Sequence, residues 1–270
     1  MFLHTYLPQN IIFSIGFLKI HWYGLLIMLA VTSGFFITLK ISQKYGWQKE
    51  KIWDLFFWLI VAGLIGARLY HFFSEITYYW RQPWEFFYLW QGGLGIYGAI
   101  IGGLVVVYFF GKDNTERLLL SDILAPAVAL GLAIGRWGNY FNQEIYGQPT
   151  NLPWAIPIEF SNRLAGYQNY IFFQPVFLYE SLCCLFLFLI LIIMHWLRLK
   201  NKSAEQRFAF YNYGNVFFVF LILYSLERFF MELLRIDYQP IFFAWRLGQW
   251  SSLILGIIAL ILIVKNRKIY

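Results

Sequence analysis

Apolar residues along this chain are gathered into seven runs, at about 21–39, 55–73, 94–110, 119–136, 176–196, 215–234 and 248–264, with polar connections between them. A helix of ~18 or more apolar residues can cross ~30 Å of hydrocarbon, so the pattern predicts seven transmembrane helices. The first, third and last runs contain uncharged stretches (22–39, 86–110 and 247–264); the others carry isolated charges, which soften their limits. The N-terminus lacks the charged region of a secretory signal, and its first apolar run is too long for a signal's core, so that run is expected to stay as a span. No long linker, low-complexity tract or repeat divides the chain. The expectation is an all-α polytopic membrane protein forming a single membrane-embedded domain, residues 1–270.

Composition excludes the other classes. Of 270 residues, 60% are hydrophobic and only 13% charged, against roughly 25% charged in soluble domains. A water-soluble globule, a disordered chain, a coiled coil and a disulfide scaffold all fail on that ground. Cys183 and Cys184 are adjacent in an apolar run and read as small packing residues.

The net charge of +7 has no basic cluster with interleaved aromatics behind it, so nucleic acid is not an expected partner. Its placement is informative instead. Lys40, Lys44, Lys49, Lys51, Lys112, Arg117, Arg198, Lys200, Lys202, Arg207, Lys265, Arg267 and Lys268 fall on one set of alternating connections. Lys19, Arg81, Arg163, Arg235 and Arg246 fall on the other. Basic residues favour the cytoplasmic side, so this bias places the N-terminus outside and the C-terminus in the cytoplasm. The two largest loops, about 74–93 and 137–175, are then external. The second contains Pro149, Pro153, Pro157 and Pro175 and is expected to fold as a small outer cap.

Among the charges inside the expected spans are Arg68, Arg136, Arg228, Glu180, Glu227 and Glu232. A charge at the bilayer centre costs about 2.5–3.5 kcal/mol on insertion scales, so such residues face the bundle interior and usually pair. Structural ion pairs and a functional site both remain open for each one alone. Their grouping favours a site. Tyr224, Arg228, Glu232 and Arg235 fall at helical spacings that put them on one face. The fourth run ends in Gly135-Arg136-Trp137-Gly138-Asn139-Tyr140-Phe141-Asn142-Gln143-Glu144-Ile145-Tyr146-Gly147, with Arg136 and Asn139 one turn apart and glycines that permit a bend. Both clusters lie toward the outer leaflet in this topology. Guanidiniums fixed at headgroup depth suit a phosphate, whose oxygens pair bidentately with the planar fork.

Neither the every-third-residue arginines of a voltage sensor nor a carboxylate and histidine relay is present. Gly98-xxx-Gly102 and Gly131-xxx-Gly135 are small-xxx-small pairs that allow close helix packing. The run Gln91-Gly92-Gly93-Leu94-Gly95-Ile96-Tyr97-Gly98 reads either as close packing or as backbone approaching a lipid headgroup, with Tyr97 in the site. Without a βαβ context it is not a nucleotide fingerprint. His4, His21, His71 and His195 have no ligand spacing, and neither metal nor cofactor is expected.

At this point the residues resemble the prolipoprotein diacylglyceryl transferase family. The motif from Gly135 to Gly147 is similar to that family's signature. Supporting matches are His21-Trp22-Tyr23-Gly24, Gly66-Ala67-Arg68-Leu69-Tyr70-His71, the Gln91–Gly98 run, Pro175-Val176-Phe177-Leu178-Tyr179-Glu180-Ser181, the Tyr224/Arg228/Glu232/Arg235 stripe and Gly248-Gln249-Trp250-Ser251. They cover nearly the whole chain in family order.

The resemblance implies an enzyme of the bacterial plasma (inner) membrane with its active site toward the outer leaflet. It would transfer the sn-1,2-diacylglyceryl group of phosphatidylglycerol to the lipobox cysteine of a preprolipoprotein signal peptide, forming a thioether and releasing glycerol phosphate. Membrane lipids are its surroundings. Carried over by position, Arg136 and Arg228 would be essential in catalysis and lipid binding. Asn139, Glu144 and Gly147 would complete the signature site, with Tyr23 and Tyr224 important beside them. Tyr97 is taken as catalytic, and Glu232, Arg235 and Arg68 as substrate-binding. Some members have histidine where this chain has Tyr97 and Gln174, so a histidine base at either place does not apply here. Glu144 or a tyrosine is left as proton acceptor for the thiol. The rival readings are a transporter for an anionic solute and a structural membrane protein whose ion pairs only fix helix register.

Overall fold

Each of the seven apolar runs falls on a helix in the computed structural model of the chain, which describes residues 2–16, 18–200 and 212–266. Lys202, Arg207, Arg267 and Lys268 of the charge tally lie outside the described residues. A short α1 (Phe2–Thr5) precedes α2 (Trp22–Lys44) and α3 (Lys49–Ser74), followed by the short α4 (Ile76–Arg81). Then come α5 (Ile96–Phe110), α6 (Asn114–Phe141), α7 (Val176–Lys200), α8 (Asn215–Leu234) and α9 (Leu247–Asn266). Helices α2, α3, α6, α7 and α9 are long and apolar enough to cross a membrane. Helix α5 is apolar but has only 15 residues. Helix α8 has 20 residues but carries Glu227, Arg228 and Glu232.

The surface is the inverse of a soluble protein's. Trp53, Phe57, Ile65 and Phe73 on α3, and Leu182, Phe186 and Ile193 on α7, are exposed, whereas Arg68, Glu180 and Glu232 are buried. Water would reverse both preferences. Hydrocarbon around the helices accounts for both, because it accepts the apolar faces and drives charges inward to partners.

The all-α expectation needs a small amendment, since three two-stranded antiparallel ribbons accompany the helices. They pair β1 (Ile11–Ile15) with β2 (Leu18–His21), β3 (Ile156–Pro157) with β4 (Phe172–Phe173), and β5 (Ile241–Phe242) with β6 (Trp245–Arg246). Helix α6 also outruns its apolar core at both ends. It continues through Gly135 and Gly138 to Phe141, so the signature glycines do not end it.

The described chain divides into two compact units, one holding residues up to Thr38 and from Leu124 onward, the other Leu39–Ile123. In the second unit α3 and α5 pack through their glycines. A Cβ at Gly98 would land on the Gly66 carbonyl, and one at Gly102 on that of Ala62. Close approach is what the Gly98-xxx-Gly102 pair predicts. Because the obstacle is backbone, Gly98→Val should force the helices apart and destabilise by about 1–3 kcal/mol or more. A detergent melting curve identical to the wild type's would refute that close approach. The second expected pair behaves differently: a Cβ at Gly131 would only graze Ala30, and one at Gly135 would meet nothing within 4 Å. Gly138 is the glycine that admits a neighbour on this stretch, the ring of Tyr23.

In the first unit, Ala125 and Ala129 of α6, Leu187, Leu191 and Met194 of α7, and Val216 and Phe220 of α8 form one core. The segment 142–175 is folded on a second core of Tyr140, Tyr146, Ile156, Ile158, Phe173 and Phe177. The N-terminal residues are tied to this segment. His4 stacks on Phe172 at 4.1 Å between ring centroids, and the Gln143 amide donates to the Pro8 carbonyl at 2.7 Å.

Candidate active site

Five charges of the first unit form one alternating chain across three helices and a ribbon. Glu180, near the start of α7, is fully buried between two guanidiniums: Arg136 of α6 brings Nε to 3.0 Å from Oε2, and Arg228 of α8 brings Nη1 to 3.2 Å from Oε1. One turn further along α8, Glu232 takes Nη2 of Arg228 at 2.7 Å and Nη1 of Arg246, from β6, at 3.4 Å. The order is Arg136, Glu180, Arg228, Glu232, Arg246, three cations to two anions. Pairing meets the need to compensate charge in an apolar interior.

Arg136 makes its ion pair through Nε, and its two terminal nitrogens have no hydrogen bond among the described residues. The outer edge of the guanidinium, the edge that can hold two oxygens of a phosphate at once, is therefore without a hydrogen bond among the described residues. Tyr224, one turn before Arg228 on α8, stacks on Phe220 and lies within electrostatic reach of Arg136 and Arg228.

Arg235 departs from the expected stripe. It lies just past the end of α8 with extended backbone, φ −78° and ψ 146°. There it makes a two-pronged pair with Asp237, Nε to Oδ1 at 2.7 Å and Nη2 to Oδ2 at 2.8 Å. Burial works against the Asp237 carboxylate, but the Arg235 hydrogen bonds and charge, with help from the Gln239 amide, hold it below the usual range. Arg246 is the cation that Glu232 meets besides Arg228.

The signature motif builds the turn after α6. Asn139 donates from Nδ2 to Glu144 Oε1 at 2.9 Å, and Asn142 donates to the same oxygen at 3.2 Å. Gln143 and Ile145, on either side of Glu144, have φ of 53° and 55°, a region costly for residues with a Cβ and commonest at functional sites. Gln143 is held there by its bond to Pro8 and by accepting the Glu159 N–H at 2.6 Å. At Gly147 a Cβ would lie 2.8 Å from both the Leu234 carbonyl and a Val176 methyl. Glycine there lets the turn lie against Arg235, with which Gly147 forms a β-bridge. Tyr23 is half-exposed, its ring against Gly138.

Two further expected residues belong to the other unit. Arg68 is buried, and its guanidinium donates to four backbone carbonyls: Phe86 at 2.7 Å, Gly92 at 2.7 Å, Gly93 at 3.0 Å, and Glu85. Tyr97 begins α5, exposed, with its ring 5.6 Å from that of Tyr70.

Sequence reasoning marked Glu180 and Glu227 as charges in spans without assigning them to the site, and used Arg246 only for topology. The available signal for Glu180 was a lone carboxylate in an otherwise uncharged run, which must find a cation.

An apolar, multi-helix protein with paired arginines among its helices is a multi-pass membrane protein. A family model described as "Prolipoprotein diacylglyceryl transferase" matches residues 10–265. The chain is 40% identical over 266 residues to the "Phosphatidylglycerol--prolipoprotein diacylglyceryl transferase" of Synechocystis, covering 96% of this chain and 92% of that one. The protein of the same description from Prochlorococcus marinus is 39% identical over 250 residues, covering 85% and 80%. That from Gloeobacter violaceus is 38% identical over 232 residues, covering 85% and 82%. The chain belongs to the prolipoprotein diacylglyceryl transferase family, which disfavours the transporter reading.

Proposed function

We propose that this protein transfers the sn-1,2-diacylglyceryl group of phosphatidylglycerol to the lipobox cysteine of a preprolipoprotein, leaving a thioether and glycerol phosphate. The observation that carries the reading is the Arg136–Glu180–Arg228–Glu232–Arg246 chain, with the terminal nitrogens of Arg136 left without a hydrogen bond among the described residues. The reaction breaks the bond between the glyceryl carbon and the phosphate oxygen, so negative charge grows on the departing phosphate. Guanidiniums already fixed by carboxylates need no reorganisation as that charge develops, and they favour the transition state over the ground state.

In this proposal all seven apolar helices span the bacterial plasma membrane as one working domain, with the N-terminus outside and the C-terminus cytoplasmic. The folded segment 142–175 is then an external cap, and the site opens toward the outer leaflet, where phosphatidylglycerol and the signal peptide meet. Asn139 and Glu144 brace the strained turn, and Gly147 seats it against the end of α8. Tyr23 and Tyr224 flank the arginines. Arg68 acts by fixing the loop 85–93 that leads into α5 and Tyr97. Arg235, bound to Asp237, serves the peripheral edge of the lipid site.

Purified protein given phosphatidylglycerol and a lipobox peptide should increase the peptide's mass by one diacylglyceryl unit. An unchanged peptide in the presence of intact lipid and folded protein would overturn the proposal.

A further inference from the structure

Transfer to a thiol releases one proton, and the carboxylates of the site differ in their freedom to take it. Glu180 and Glu232 each face two guanidiniums, and Glu144 Oε1 accepts from two asparagines. Glu227 is different. Both of its oxygens are shielded from solvent, and neither has a hydrogen-bond partner among the described residues. A buried polar group without a partner is destabilising and needs an explanation.

Its position supplies one. Glu227 immediately precedes Arg228 on α8 and lies within electrostatic reach of Arg136, Arg228 and Glu180. It also lines a cavity of about 380 Å³ between α7 and α8, together with Leu182, Cys184, Leu187 and Leu223. That volume falls in the range of ~300–1,000 Å³ typical of small-ligand sites. Leu182 and Phe186 both line the cavity and are exposed on the apolar surface of α7. The cavity thus opens on the surface suited to hydrocarbon, and Glu227 is the carboxylate in its lining, which also includes Cys183 and Cys184.

We propose that Glu227, at the wall of the α7–α8 cavity, is the proton acceptor for the acceptor cysteine, a catalytic residue whose shielded carboxylate turns to meet the thiol when the substrate is bound; the assignment rests on the transferase reading above. The S–H proton passes to a Glu227 oxygen while the sulfur lone pair forms the bond to the glyceryl carbon. The carbon–oxygen bond breaks, and its electrons stay on the phosphate, which leaves as glycerol phosphate. Charge supports this coupling. With Glu227 ionised, Arg136, Arg228 and Arg246 are balanced by Glu180, Glu232 and Glu227. Protonating Glu227 makes the cluster singly positive as the departing phosphate gains one negative charge. The field that stabilises the leaving group therefore strengthens when it is needed. The proton afterwards leaves with the phosphate or to water.

The test compares wild type with Glu227→Gln, using phosphatidylglycerol and two lipobox peptides, one with cysteine and one with selenocysteine, whose selenol is already ionised at neutral pH. With cysteine, Glu227→Gln should lower kcat about 100-fold or more, leaving the KM for lipid unchanged. With selenocysteine most of that loss should disappear. Should Glu227→Gln melt well below wild type, Glu227→Asp takes its place, with the same larger loss expected on the cysteine peptide. A wild-type kcat on cysteine, or equal losses on both peptides, would overturn the assignment. Failure of the wild type on both peptides would instead overturn the transferase reading, and this assignment with it.

Discussion

Glu180→Ala should be the most damaging single substitution in the charged chain, lowering the thermal midpoint in detergent and abolishing transfer. Glu180 is the sole contact of Arg136 in the chain and one of two for Arg228. Its removal leaves Arg136 without its ion pair and Arg228 with one of its two, on helices whose outer faces suit hydrocarbon. Breaking a buried pair by deleting one partner costs about 3–5 kcal/mol, because the abandoned charge stays desolvated. Here one carboxylate serves two cations, so the upper end of that range is expected. Glu180→Gln keeps an acceptor oxygen but loses the charge, and should fall between alanine and wild type in melting temperature. If both variants melt with the wild type, Glu180 is not the hub that its contacts describe.

How much of this was legible in the sequence depends on the range of the interaction. Hydropathy located the seven helices because each run is apolar over its own length. It misplaced their ends because helices continue into polar residues once their backbone bonds are established. Thus α6 begins at Asn114 and ends at Phe141, beyond the run 119–136 on both sides. The ribbons were not legible. Those pairing Ile156 with Phe173 and Ile241 with Arg246 have strands of only two residues, too short to show alternation.

The site divides in the same way. Helical spacing places Tyr224, Arg228 and Glu232 on one face and so anticipates the Arg228–Glu232 pair. It says nothing of which helix faces them, so Glu180 of α7 and Arg246 of β6 required the packing to be seen. Arg235 fails for a local reason: α8 stops at Leu234, and one extended residue turns its guanidinium toward Asp237.

Arg228→Lys should leave a folded protein whose kcat for diacylglyceryl transfer falls about 10²–10³-fold, the loss typical of removing a fixed donor from developing negative charge. Charge alone does not explain the requirement for arginine. Arg228 uses separate terminal nitrogens for separate carboxylates, Nη1 toward Glu180 at 3.2 Å and Nη2 toward Glu232 at 2.7 Å. The planar fork spans two anions on different helices, whereas an ammonium is a compact point charge on a flexible stem. Lysine must favour one carboxylate, and the other is then free to draw Arg136 or Arg246 away from the phosphate. The penalty should fall on kcat rather than on lipid KM, because misplaced cations weaken the transition state more than the bound diester. Arg246→Lys provides the contrast. Arg246 meets one carboxylate, at 3.4 Å, so an ammonium can replace it with a far smaller loss. Equal tolerance of lysine at 228 and 246 would mean that the cluster supplies only net charge, and that the geometry joining α7 to α8 through Arg228 has no part in the reaction.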